Sequence, residues 1–154
     1  LFHESSKEHD LGRYSLQCGR RNDALKLWLA WRECGDAGWA SLVEDYVSLA
    51  DHLQARVDDH TNLEMMSSRV WTNVCFRYVP RKDVDINEIN SELRLRIMQN
   101  ADFMVSRSNI GDDVVIRSVI SNPGITTSTL DAFIDEVLRI GNDIEQGLPR
   151  ETAY

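Results

Sequence analysis

An arginine in the middle of an apolar run, Val114-Val-Ile-Arg-Ser-Val-Ile120, is the residue whose type and setting point most directly to chemistry. With a period of two, Arg117 shares a strand face with Val115 and Val119, so that a cation stands between two valines. A guanidinium desolvated in this way needs an anion, and its planar fork suits a carboxylate gripped through two parallel hydrogen bonds. Spacing alone leaves two readings open: a structural ion pair on an edge strand, or a grip for a carboxylate-bearing ligand.

A second stretch, Tyr14-Ser-Leu-Gln-Cys-Gly-Arg-Arg-Asn-Asp23, sets two cations before an apolar helix. Gly19 gives the backbone room for a close turn, and Arg20 and Arg21 oppose the helix macrodipole by roughly a few tenths of a kcal/mol each, so another interaction must hold them. Either Gln17, Cys18 and Gly19 line a pocket while Arg20 pairs with an acid across a subunit boundary, or the turn is structural and its arginines bind groups of their own chain. Other combinations offer less. His3, His9, His52 and His60 lack metal-ligand spacing and read as surface groups, and no metal is inferred. Cys18, Cys34 and Cys75 show no Cys-x-x-Cys spacing and read as buried and reduced. Asp131, Asp135 and Glu136 read as the solvated face of an amphipathic helix.

The elements that must position these residues follow from periodicity. A helix is expected from Asn22 to Cys34, with Asn22 as N-cap and Gly35 as its stop, and a second from Ala37 to Val57 with Trp39, Leu42, Tyr46, Leu49, Leu53 and Val57 along one stripe. Trp28, Trp31 and Trp39 read as core or interface residues. Short strands are expected at Leu63 to Ser67 and Val70 to Val79, where Val74, Phe76 and Tyr78 alternate with polar or smaller neighbours. A helix from Asp85 to Asn100 repeats Ile86, Ile89, Leu93 and Ile97. Strands at Phe103 to Arg107 and Asp113 to Ser121 flank a loop whose Gly111 supplies positive φ, and a last helix runs from Ser128 to Gln146 with Thr126 or Ser128 as cap. Strand pairs with helices between them predict an α+β unit, an antiparallel sheet covered on one face.

The chain has 154 residues, 42% hydrophobic and 27% charged, enough for one ordinary core. A net charge of -8 disfavours a nucleic-acid surface, which needs a basic stripe. No apolar run reaches the roughly 18 residues of a membrane span, and a cytoplasmic location is the default expectation. Leu1 opens a stretch that resembles neither a cap nor the start of a folded element, so a portion of a longer polypeptide is expected.

Three separated segments resemble one family, the pyridoxal-phosphate-dependent amino acid decarboxylases of the group containing glutamate and cysteine sulfinate decarboxylases. They are Ser15-Leu-Gln-Cys-Gly-Arg-Arg-Asn-Asp-Ala-Leu-Lys-Leu-Trp28 with Leu29-Ala-Trp31 and Gly35-Asp36; Thr72-Asn-Val-Cys-Phe76 with Tyr78-Val-Pro80; and Ile116-Arg-Ser-Val-Ile-Ser-Asn-Pro123. The resemblance implies the C-terminal part of a fold type I enzyme: residues 1–35 lead from a large cofactor domain outside this sequence, and residues 36–154 form the C-terminal small domain, an antiparallel sheet flanked by helices. It implies a carboxy-lyase working as a homodimer on a small amino acid, with pyridoxal 5'-phosphate as cofactor.

The resemblance also implies substrate-binding roles for Arg117, Gln17, Cys18 and Gly19. The family's Schiff-base lysine follows a histidine, and none of Lys7, Lys26 and Lys82 does, so no catalytic residue is assigned and this chain alone is expected to be inactive. Gln17-Cys18-Gly19-Arg20 is similar to the acidic-substrate branch, which favours glutamate, aspartate or cysteine sulfinate. A decarboxylase for an aromatic or diamino acid, or a non-catalytic truncated interaction module, is the alternative. The sequence departs from the branch at Leu11-Gly12-Arg13 and in the short Asn109-Ile-Gly-Asp-Asp113 stretch.

Overall fold

The computed structural model describes residues 21–149. The chain divides into two compact units, Leu1–Ala40 and Ser41–Tyr154. The described elements are α1 (Asp23–Asp58), β1 (Leu63–Met65), β2 (Asn73–Tyr78), α2 (Ile86–Asn100), β3 (Ser106–Ile110), β4 (Asp113–Val119) and α3 (Thr127–Glu145).

In the first unit the helix begins as expected, Asn22 Oδ1 accepting from the Leu25 amide at 3.2 Å. Helical geometry is interrupted at Gly35 (φ 65°, ψ 177°), a conformation that glycine adopts without steric cost. Of the tryptophans expected in a core or an interface, Trp39 is half-buried, while Trp28 and Trp31 do not belong to the core. Trp28 is 57% exposed and Trp31 45%, alongside exposed Leu25, Leu27 and Leu29. Trp31 stacks on Trp39 with centroids 5.4 Å apart and donates its indole N–H to Asp36. Cys34 is exposed rather than buried. A helix with apolar residues on nearly every side presents some of them outward whatever it packs against.

The second unit is built on a four-stranded antiparallel sheet of order β1-β2-β4-β3. Val74, Phe76 and Tyr78 of β2 and Ile116 of β4 face the helices and form one core with Ile89, Leu93 and Ile97 of α2 and Leu130, Phe133, Ile134, Val137 and Ile140 of α3. Ala50, Leu53 and Val57 join the same core. The alternation read from the sequence is therefore the face alternation of β2. The α+β class and the antiparallel sheet stand as expected.

Local chemistry sets the helix starts. Asp85 caps α2 by accepting from the Asn87 and Glu88 amides, at 2.8 and 3.0 Å, and Thr126 forms a capping box with Thr129 at the start of α3. The last strand pair differs from the expectation. β3 lies at Ser106–Ile110 rather than Phe103–Arg107, and it meets β4 through a two-residue turn at Gly111 and Asp112, with Ile110 opposite Asp113. Gly111 has φ 61°, as such a turn requires.

Between β2 and β4 the ladder stops at the Phe76–Ile116 pair. Two asparagines on the first turns of α2 take over. Asn90 accepts from the Tyr78 amide at 2.8 Å and donates to the Tyr78 carbonyl at 2.9 Å, while Asn87 accepts from the Val114 amide at 2.8 Å and donates to the Asp112 carbonyl at 3.0 Å. The side chains of α2 thus satisfy strand groups that would otherwise be left unpaired.

Candidate functional site

Arg117 lies on the sheet face opposite the helices. Its cross-strand partners are Cys75 on β2 and Ser106 on β3, so β4 is an interior strand here and not an edge. Arg117 is exposed, which corrects the expectation of a desolvated guanidinium between two valines. Val115 is buried as that expectation required, but Val119 is 45% exposed. Arg117 points away from Ile116 and the helices, but that face is not uniformly open: Val115 is 1% and Cys75 6% exposed, and along β4 the exposure begins at Arg117 and continues at Val119 towards the end of the strand.

Exposure does not leave the side chain unheld. Arg117 Nε donates to Asn73 Oδ1 at 3.1 Å, and the Cys75 thiol sits 3.8 Å from the same oxygen. Two residues further along the same face of β2, Arg77 provides a contrast. It pairs with Glu64 and with Asp113, both within 3 Å, and is largely covered. Among the described residues, no carboxylate pairs with Arg117. One arginine of this face is paired with described carboxylates, and the other is held by an amide oxygen.

Arg117 also lines a cavity of about 420 Å³ at the end of the sheet, with Met104, Ser106, Ser118, Val119 and Asn122 among its walls and Phe133 of α3 at its inner side. A larger cavity of about 570 Å³ runs along α2 and is lined by Glu88, Glu92, Leu95, Arg107 and Ile144. Both cavities carry charges of both signs, the smaller one Asp102 with Arg117, and we place the candidate site at the smaller one because it is lined by Arg117, which makes no ion pair with a described carboxylate, Asp102 included.

Gln17, Cys18, Gly19 and Arg20 lie outside the described residues, so no geometry joins them to Arg117. His3, His9 and Lys7 lie outside them as well. Two histidines are described. His52 is half-buried and meets Asp131 at 2.9 Å, and Arg56 meets the same carboxylate at 3.0 Å, so Asp131 belongs to a bridge between α1 and α3 and not to a purely solvated face. Asp135 extends that bridge through Arg56. Glu136 takes bonds from Arg139 and Asn100, and the Arg139 bond, against an opposing desolvation, holds its carboxyl below the usual range.

The described lysines do not fit the role of a Schiff-base residue. Lys26 is exposed and pairs with Asp23 at 3.2 Å, and Lys82 donates Nζ to the Glu145 carbonyl at 2.9 Å. Neither lines a cavity with converging phosphate donors. Among the described residues no group of three or more His, Cys, Asp or Glu side chains is placed to hold a metal ion, and no helix is long and apolar enough to cross a membrane.

One residue of consequence escaped the sequence reading. Asn73 precedes the apolar alternation of β2 and was legible only as a polar position on the same parity as Cys75; its contact with Arg117 depends on the β2–β4 register, which places it opposite Val119.

Comparison with known proteins converges on one group. The profile of the pyridoxal-dependent decarboxylase conserved domain matches residues 1–79. Mouse CSAD is similar at 26% identity and a TM-score of 0.78, over 86% of this chain and 30% of that one. Catharanthus roseus tryptophan decarboxylase, solved with L-tryptophan, is similar at 20% identity and a TM-score of 0.79, over 88% of this chain and 28% of that one. The glutamate decarboxylase domain of a Vibrio parahaemolyticus diaminobutyrate-pyruvate transaminase and L-2,4-diaminobutyrate decarboxylase is similar at 18% identity and a TM-score of 0.73, over 80% and 27% of the two chains. The chain spans under a third of the length of each.

Proposed function

This chain belongs to the pyridoxal-dependent decarboxylase family, and we propose that it supplies the substrate-carboxylate grip of a decarboxylase acting on an acidic amino acid. The observation that carries the reading is Arg117, tethered through Nε, unmatched by any described carboxylate and lining a cavity.

Pyridoxal phosphate, when bound, would supply the electron sink for loss of carbon dioxide, and its grip is assigned mainly to the cofactor domain outside this sequence. The part assigned to this chain is recognition. Arg117 presents a guanidinium to the carboxylate of the incoming amino acid and orients it. A decarboxylase has to let its α-carboxylate lose charge, and a tight pair to that group would stabilise the ground state more than the transition state. Gripping the side-chain carboxylate orients the substrate without that cost, so we assign Arg117 the distal group, with the α-carboxylate as the alternative. Glutamate, aspartate and cysteine sulfinate are the candidate substrates, and Gln17, Cys18 and Gly19 complete the proposed pocket. The assembled enzyme is proposed to be a cytoplasmic homodimer, with residues 1–35 leading from the cofactor domain and 36–154 as the small domain.

The test is carbon dioxide release by the holoenzyme from glutamate, aspartate, cysteine sulfinate, tryptophan and 2,4-diaminobutyrate, before and after Arg117→Lys. Turnover confined to the acidic substrates, with KM raised at least tenfold by the substitution, supports the reading. Preference for tryptophan or diaminobutyrate removes the acidic assignment, and an unchanged KM removes Arg117 from recognition.

A further inference from the structure

We infer that Asn73 is a positioning residue for Arg117, holding its guanidinium so that the two terminal nitrogens meet a ligand carboxylate end-on. The inference rests on the carboxylate role proposed above for Arg117.

A guanidinium offers a carboxylate two bidentate approaches, one along the Nε–Nη edge and one across both Nη groups. The Asn73 amide oxygen, 3.1 Å from Nε, occupies the first. What is left is the end-on fork. The amide is itself oriented, because the Cys75 thiol lies 3.8 Å from the same oxygen and two donors therefore converge on it. An exposed arginine otherwise samples many rotamers, and a ligand that must order it loses affinity to that ordering. A tether made before the ligand arrives removes part of the loss.

The tether stands on a braced support. Asn73 is the first residue of β2, and its amide closes a two-residue turn by donating to the Val70 carbonyl at 3.0 Å. The Thr72 carbonyl accepts from the Ile120 amide at 3.1 Å, fastening the turn to the end of β4. Arg69 donates both to the Trp71 carbonyl inside the turn and to Asp51 of α1. Trp71 is held there at φ 56°, a region that bulky residues rarely enter, so the surroundings dictate the turn against local preference. Asn73 is thus placed by backbone bonds on either side before its side chain reaches Arg117.

Two measurements separate this inference from the reading beneath it. In the holoenzyme, Asn73→Leu, which keeps the shape and removes the acceptor, is expected to raise KM for the preferred substrate about tenfold while kcat stays within twofold. Combined with Arg117→Lys it should add nothing further. Additive losses, or a fall in kcat at constant KM, would overturn the inference. In the 154-residue chain, the Arg117 Nε proton, followed by NMR, should exchange slowly with solvent, exchange fast in Asn73→Leu, and remain slow in Asn73→Asp, which keeps an oxygen at the same place. Fast exchange in the unsubstituted chain overturns the tether whatever Arg117 binds. Slow exchange together with an Arg117→Lys enzyme of unchanged KM upholds the tether and sinks the proposed carboxylate role alone.

Discussion

The ring of Tyr78 occupies the space directly over Gly141: a Cβ built on that glycine would stand 2.4 Å from Tyr78 Cε2 and 2.5 Å from Cδ2. Strand β2 and helix α3 approach closely here only because the helix carries no side chain at the crossing. Tyr78 is 2% exposed and its backbone is clamped by Asn90, so the ring has little room to move aside. Gly141→Ala is therefore expected to lower the unfolding free energy by about 1–3 kcal/mol despite alanine's better helix propensity, which is worth only about 1 kcal/mol in the opposite direction. Urea denaturation of the two forms checks this, and an alanine variant as stable as the parent would show that α3 shifts freely.

The other end of the same ring governs an alkaline transition. The Tyr78 hydroxyl donates to Glu145 at 3.0 Å, and desolvation by burial, then that hydrogen bond and the glutamate charge, push its pKa from 10 up to about 12 against a smaller opposing pull from Arg81. The folded state keeps this proton at pH values where the unfolded chain has released it. Its contribution is full below pH 10 and is lost as pH rises towards about 12. Stability measured between these values should fall more steeply in the parent than in Tyr78→Phe, which has no proton to lose. Parallel curves would remove the linkage.

Much of this arrangement was legible in the sequence, and what was not has identifiable causes. The stripe of Leu130, Phe133, Ile134 and Val137 and the alternation of Val74, Phe76 and Tyr78 predicted their own burial, because one face of each element packs on a single core. Strand β3 slipped by three residues since Ser106, Arg107, Asn109 and Ile110 are all exposed and carry no alternation to mark a register. Arg117 was placed on the correct strand and parity, yet its neighbour on the same face, Val115, is buried while Arg117 is exposed, so the difference depends on the position along β4, which a strand pattern by itself does not state. Asn73 could be found only through the pairing of two strands 44 residues apart.

Asn90 is a case in which the pattern held a signal. Ile86, Asn90, Leu93 and Ile97 follow helical spacing, and a polar residue at a stripe position calls for a buried partner. The structure supplies three: the Tyr78 amide, the Tyr78 carbonyl and the Ile86 carbonyl, all within 3 Å. Asn90→Leu fits the apolar stripe better but strands both polar groups of Tyr78 away from water. The expected loss is about 2–6 kcal/mol, from roughly 1–3 kcal/mol for each of the two unsatisfied groups. Denaturation midpoints measure it, and hydrogen exchange at the Tyr78 amide should accelerate in step.

Strain beside the candidate site makes the last prediction opposite in sign. Trp71 sits at φ 56° in the turn that leads into Asn73, and its side chain is 67% exposed, so little burial offsets the cost of that backbone conformation. The bond from Arg69 reaches its carbonyl, which any residue would provide. Asparagine enters the left-handed region far more readily, and Trp71→Asn should raise the unfolding free energy by about 1 kcal/mol, the lower end of what one residue in a disfavoured region stores. Equilibrium denaturation gives the sign directly. Because the gain comes from the backbone alone, Trp71→Ala, which meets the same Cβ conflict as tryptophan, should not share it; equal stabilisation by both would place the effect in the exposed indole and not in the turn.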